Sequence, residues 1–171
     1  KGVKVDFSTA QGNLALAAQI AQKFVSQSPD ALVGIGTNST QALISARPKL
    51  TIPIIFSSVT DPLGSKLVQN LKNPQGNITG VSNYVNPGLQ FDLFKKILPN
   101  LTIIGVIYNP GEGNSVSLNL EMDKIANRKG LRIVYAPANT SAEVAQATQS
   151  LLGKVDAIFI NNDNTALSAF E

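Results

Sequence analysis

Asp30-Ala31-Leu32-Val33-Gly34-Ile35-Gly36-Thr37-Asn38 and Asp156-Ala157-Ile158-Phe159-Ile160-Asn161-Asn162-Asp163-Asn164 follow one pattern. Each begins with an aspartate, runs through aliphatic residues and ends in small polar side chains. The aliphatic run 31–35 suits a parallel strand covered on both faces, 157–160 reads as a strand too, and both polar ends suit the first turn of a helix. An offset of 126 pairs Asp30 with Asp156, Thr37 with Asp163 and Asn38 with Asn164. A strand-like and then a helical segment precedes each run: 3–7 and 14–25 in the first unit, 131–135 and 141–152 in the second. Two readings are open. Any two strand-helix-strand units look somewhat alike, or the chain holds two lobes of one design facing each other.

The surrounding sequence extends the alternation. Leu14, Ala17, Ala18, Ile20, Ala21, Phe24 and Val25 recur near helical spacing behind Asn13 as N-cap. Residues 39–46 predict a helix ended by Arg47-Pro48, because proline disfavours helical geometry in the residue before it. Then come a strand at 52–57, a helix at 64–71, a strand at 77–81 and a helix at 87–98 stopped by Pro99-Asn100. A strand at 103–108, a helix at 115–129 and a last strand at 157–160 complete the series. This alternation predicts an α/β fold with parallel sheets, arranged as two Rossmann-like lobes. The second unit has its own leading strand and helix at 103–129, whereas the first starts with the chain. By that symmetry a strand and helix belong before Lys1, and the last helix is cut short, so both ends read as truncated.

Composition removes whole classes of chemistry. The 171 residues include no Cys, His or Trp. There is no thiol nucleophile, Ser-His-Asp triad, disulfide framework, or thiolate or imidazole zinc site, and any metal would need oxygen ligands alone. The net charge is +3 and the pI about 9.2, but charged residues make up only 15% and no window gathers five basic side chains. Nucleic acid would want a denser basic stripe with interleaved aromatics. No apolar run approaches the length of a membrane span. No signal peptide is visible, and a start at Lys1 suggests a processed or trimmed N-terminus. The missing cysteines fit an exported protein.

In open α/β sheets, ligands bind beyond the carboxyl ends of the strands, where helix N-termini offer free N–H groups. Here those ends are rich in short hydroxyl and amide side chains: 36–40, 57–61, 109–115 and 161–165. Each turn can be plain helix capping, but together they point to a polar ligand site. Gly34-Ile35-Gly36 and Gly111-Glu112-Gly113 do not complete a dinucleotide fingerprint, and no Gly-rich turn carries a Walker lysine. Asp61 and Asp163 could be paired carboxylates for acid-base work, but they fall on different lobes. Asp61 reads better as an N-cap ahead of Pro62, and Asp163 as the anionic partner of a ligand ammonium. Four N-x-[ST] tripeptides, at Asn38, Asn77, Asn100 and Asn139, carry no glycosylation claim.

Five segments carry a family likeness: NLALAAQIAQKF (13–24), VTDPLGSKLV (59–68), GNITGVS (76–82), GVIYNPGEGNS (105–115) and GKVDAIFINNDNT (153–165). With them the chain resembles, over nearly its whole length, the bacterial ABC-transporter substrate-binding proteins of type I periplasmic-binding-protein fold, in the group that binds tryptophan and other aromatic amino acids. The resemblance implies a non-enzymatic receptor that closes two lobes on a small ligand, an amino acid with aromatic ones favoured, and delivers it to a membrane permease. It needs no cofactor and no nucleic acid. It implies a periplasmic or extracellular location, with a lipid anchor conceivable in a longer chain. The lobe boundary falls near Ser82, giving an N-terminal lobe at 1–82 without its first strand and helix, and a C-terminal lobe at 83–171 without its last elements. On the family's pattern Thr37, Asn38 and Ser39 meet the ligand carboxylate, and Asp163 pairs with its ammonium. Ser58, Thr60, Asn109, Asn114 and Ser115 line the cleft, and Tyr84 and Tyr108 are the aromatics for stacking. Two competing readings remain: the ligand-sensing core of a transcription regulator, and a small α/β enzyme.

Overall fold

The computed structural model describes residues 2–46, 51–74 and 76–169. In chain order the elements are α1 (Leu14–Ser26), β1 (Leu32–Ile35), α2 (Thr37–Ser45), β2 (Ile54–Val59), β3 (Ile78–Ser82), α3 (Pro87–Ile97), β4 (Ile103–Tyr108), α4 (Gly113–Arg128), β5 (Arg132–Pro137), α5 (Val144–Leu151), β6 (Ala157–Phe159) and α6 (Asn164–Ser168). A 3-10 turn at Ser141–Glu143 leads into α5. The strands form two three-stranded sheets, β1-β2-β3 and β5-β4-β6, parallel throughout. Capping starts several helices where the sequence places them. Asn13 Oδ1 accepts from the Leu16 amide at 3.0 Å, and Asn86 Oδ1 accepts from Gly88 at 2.8 Å beside Pro87 in the first turn of α3.

The second lobe is covered on both sides of its sheet. Ile104 and Val106 on central strand β4 pack with Phe91, Leu118, Met122 and Leu131 from α3, α4 and the approach to β5. Ile107, on the opposite face, packs with Val144, Ala147 and Leu151 of α5. The run Ile103–Tyr108 therefore has almost no polar alternation. In the first lobe Leu32 and Ile54 pack with Ala21 and Leu43, and Phe56 packs with Val59, Leu67 and Val68 in a second cluster. Val33 and Ile35 on the other face are exposed, so the two-sided coverage expected of the run 31–35 does not hold for β1.

Other expectations are corrected. Residues 3–7 form no strand. Val3, Val5 and Phe7 are 89%, 78% and 74% exposed, and a strand exists only against a neighbour's ladder, which this segment lacks among the described residues. The helix expected at 64–71 is a single turn. Ser65 N bonds Asp61 O and Leu67 N bonds Pro62 O, but Lys66 takes a φ of 57°, where helical geometry cannot continue. The expected stop at Arg47-Pro48 lies outside the described residues. The two polar turns correspond in topology but not residue for residue: α2 and α6 start at Thr37 and Asn164, 127 residues apart, and β1 and β6 start at Leu32 and Ala157, 125 apart.

The turn from β1 into α2 depends on two glycines. Gly36 has φ 82° and ψ 165°, a region that side chains avoid. A Cβ on Gly34 would stand 2.5 Å from Thr40 Oγ1 and 2.8 Å from Thr40 Cα, because Thr40 Oγ1 itself donates to Gly36 O at 2.8 Å. Gly34→Ala therefore has to push α2 off the sheet. We expect a loss of about 1–3 kcal/mol, the usual cost of overpacking, read by denaturant unfolding.

Asp156 ties the start of edge strand β6 to the start of central strand β4. Its Oδ2 accepts from Thr102 N, Ile103 N and Thr102 Oγ1, each at 2.8 Å. The Thr102 amide first, then the Ile103 amide and the Thr102 hydroxyl, hold this carboxyl below its ordinary value of 3.8. A depressed folded pKa contributes stability above the unfolded value, and that contribution is lost as pH falls through the folded one. Asp156→Asn should flatten the acid limb of a stability-against-pH curve below pH 4 or so, the range of an ordinary aspartate. Parallel acid limbs for wild type and variant would count against this role.

Candidate functional site

The carboxyl ends of the two sheets face each other. A Cβ on Gly36, after β1, would lie 3.6 Å from Asn164 Oδ1, after β6. One on Gly113, at the start of α4, would lie 3.7 Å from Gly64 O and Ser65 Cα, in the loop after β2. Ser117 Oγ of α4 donates to Asp61 Oδ2 across the same mouth, and the Tyr84 hydroxyl donates to Glu121.

The first wall carries Thr37, Asn38 and Ser39 in the opening turn of α2, Thr37 buried and its two neighbours half-buried. Ser58 is exposed and takes φ 56° where the β2–β3 register shifts, the kind of bulge that re-aims side chains beside a site. Thr60 is buried; its hydroxyl donates to Asn83 Oδ1 at 3.3 Å, and its carbonyl accepts from Ser82 Oγ at 3.0 Å. It thus joins the end of β2 to the crossing segment. Asp61 Oδ1 accepts from Leu63 N and Gly64 N, so it caps the turn behind it as well as meeting Ser117. A separate groove of about 260 Å³ runs between α1 and α2, lined by Leu14, Ala18, Gln22, Asn38, Gln41, Ala42, Ser45 and Ala46. Of the expected site residues its lining holds only Asn38, and no charged group.

The second wall is built around two buried carboxylates. Asp163 is 0% exposed; its Oδ2 accepts from Asn109 N at 2.7 Å and Ser115 Oγ at 2.5 Å, and its Oδ1 caps α6 through Ala166 N at 2.8 Å. Glu112 is 4% exposed; its Oε2 accepts from Asn164 N and Nδ2, and its Oε1 from Thr165 N and Oγ1. Neither has a Lys or Arg partner among the described residues, whose ion pair is Lys129–Asp92. Asn109 Nδ2 donates to Thr165 Oγ1 and Asn139 O, and its Oδ1 accepts from Gly111 N. Asn114 Nδ2 donates to Asn162 O at 2.8 Å. The structure thus brings Asn109, Asn114, Ser115 and Asp163 into one cluster opposite Thr37–Ser39.

Residues 1–171 match the family described as ABC transporter substrate binding protein. The chain belongs to this family. It is 38% identical over 167 residues to a tyrosine-binding protein of Clostridioides difficile strain R20291, covering 98% of this chain and 48% of that one. It is similar to the ABC domain in complex with L-Trp from Streptococcus pneumonia, at 35% identity and TM-score 0.92, covering 98% of this chain and 57% of the other. It also resembles the ligand-free, open structure of a substrate-binding protein with adhesive properties from Clostridium difficile, at 34% identity and TM-score 0.61, covering 97% and 56%. The chain therefore spans about half the length of these relatives. Its architecture is the α/β, two-lobed type I periplasmic-binding-protein fold.

In this chain of the substrate-binding family, the two aromatics singled out from sequence differ: Tyr84 is exposed and hydrogen-bonded, and Tyr108 packs on another ring. Tyr84 lies on the crossing segment, where the hydrogen bond to Glu121 and then burial push its hydroxyl up to about 12. Tyr108 meets Tyr135 edge to face, centroids 5.5 Å apart. Burial first, and then the hydrogen bond to Asp123, raise the Tyr135 hydroxyl well above its ordinary value. Glu112 and Asn161 fall within the expected polar turns 109–115 and 161–165 without a role of their own, and Ser65 lies outside them; all three are buried at the mouth. Glu112 had a signal: an acidic residue between two glycines directly before a helix, in a chain with eleven acids in all. Glu112→Gln would turn one acceptor into a donor facing N–H and hydroxyl donors. We expect a loss of about 1–3 kcal/mol, with faster amide exchange at Asn164 and Thr165; unchanged exchange there would dismiss Glu112 as the anchor of α6.

Proposed function

We propose that this chain is the ligand-gripping part of the solute-binding component of an ABC importer, that it captures an amino acid between its lobes, and that aromatic amino acids are its ligand class. The observation that carries this reading is the contrast in fit. At nearly equal identity the chain superposes far better on the L-Trp complex than on the ligand-free open relative, and its strand ends already face each other. That contrast supports hinge closure, with the lobes dividing near Ser82 and the ligand stabilising the closed state by touching both walls. Thr37, Asn38, Ser39 and Ser58 would offer N–H and hydroxyl donors to the carboxylate. The wall of Asn109, Asn114, Ser115 and Asp163 would draw the ammonium, with Thr60 holding the crossing in place. The ligand is released unchanged to a membrane permease, so no chemical step is involved, and the work is done in the periplasm or outside the cell. No helix among the described residues is long and apolar enough to cross a bilayer.

Calorimetry with L-tryptophan, L-tyrosine and L-leucine tests the proposal. One aromatic amino acid should bind with one-to-one stoichiometry and, at a hundred times its Kd, raise stability by about 2.7 kcal/mol through linkage. No heat and no thermal shift with either aromatic ligand would remove them as the ligand class.

A further inference from the structure

Among the described residues, three buried side-chain atoms have no hydrogen-bond partner: Asn114 Oδ1, Asn161 Oδ1 and Ser65 Oγ. Native interiors rarely leave such atoms unmet, so each marks a place where another group bonds. All three lie at the mouth. Asn114 stands in the first turn of α4, one residue beyond the glycine that meets Ser65 across the lobes, and is 1% exposed. Its amide orientation is fixed, because its Nδ2 donates to Asn162 O, a carbonyl that can only accept. The open atom is therefore an acceptor. Asn161, just after β6, gives its Nδ2 to Asn119 Oδ1 at 3.2 Å and likewise leaves Oδ1 open. The carboxylates of Glu112 and Asp163 belong to the same wall, and their bonds come from neutral donors. Open acceptors beside unneutralised buried anions suit a positively charged donor.

We infer that Asn114 Oδ1, with Asn161 Oδ1 as its companion, receives the ligand's α-ammonium. Asp163 and Glu112 supply a fixed negative field behind them and do not contact the ligand. Asp163 Oδ2 already holds two donors and its Oδ1 caps α6, so direct pairing would break bonds that keep the wall in place. This assignment rests on the amino-acid reading above and names the atoms that read the amine.

The test compares L-tryptophan with indole-3-propionate, which keeps the ring and the carboxylate and lacks the amine. Titrations use the whole chain, with the weaker ligand measured by displacement. Wild type should prefer tryptophan. Asn114→Ala should weaken tryptophan roughly 10- to 100-fold, the range for a hydrogen bond to a charged partner, and leave indole-3-propionate unchanged. An unaltered tryptophan affinity, or an equal loss for both ligands, overturns the assignment. Should Asn114→Ala fail to fold, Asn161→Ala carries the same comparison, since its amide bonds a side chain and no backbone group. Wild type that binds tryptophan without preferring the amine removes this assignment alone. Wild type that binds neither tryptophan nor tyrosine removes the amino-acid reading, and this inference with it.

Discussion

Asp163 is sealed from water at the mouth between the sheets, and an anion in that position must be ringed by donors before its neighbours can be arranged. The rest of the second wall follows from that requirement. The backbone of Asn109 turns its N–H inward as β4 ends, Ser115 spends its hydroxyl on the same oxygen, and α6 begins where its free amide can be capped. Glu112 then fastens Asn164 and Thr165 from the far side. A five-residue helix would not hold its place by propensity alone. Two carboxylates hold it, bonded by the backbone and by the short polar side chains of Ser115, Asn164 and Thr165.

The two lobes are not equivalent bodies. The second is packed on both faces of its sheet, with aromatic rings of Phe91, Phe94 and Phe159 meeting at centroid distances of 5.2–6.4 Å. The first is packed on one face and shows Val33 and Ile35 to solvent. Between them lie polar contacts such as Asp61 with Ser117 and Tyr84 with Glu121. Polar bonds at a lobe boundary exchange with water at little net cost, whereas separating apolar faces would not. Each core thus stays within its own lobe, and the described contacts named here between the lobes are polar.

Much of this was legible from the residues. The apolar runs gave β4 its bounds, Asn13 and Pro87 marked helix starts, and the repeated pattern ending in Thr37 and Asp163 announced two facing polar turns. What failed did so for local reasons. Residues 64–71 have helical periodicity, but a positive φ at Lys66 cuts the turn short, and lysine gives no warning of that. Residues 3–7 have strand composition, which says nothing about whether a neighbour exists. Individual site roles were least legible: a side chain of Asn, Ser or Asp looks the same whether it faces a ligand or caps its own loop. Asn109 and Thr60 turned out to be committed within the fold, and only atomic detail separates them from Asn114.

The order of the strands also has a temporal side. In the first sheet β1, β2 and β3 lie side by side in the order they occur along the chain, and all three precede α4, so a nascent polypeptide can pair them before α4 has been made. The second sheet cannot close so early. Its middle strand β4 takes β5 on one edge and waits for β6, whose neighbour Asp156 then latches onto Thr102 and Ile103. These two sets of strands thus pair one after the other, and the turns at Thr37 and Asp163 can meet only once both have formed.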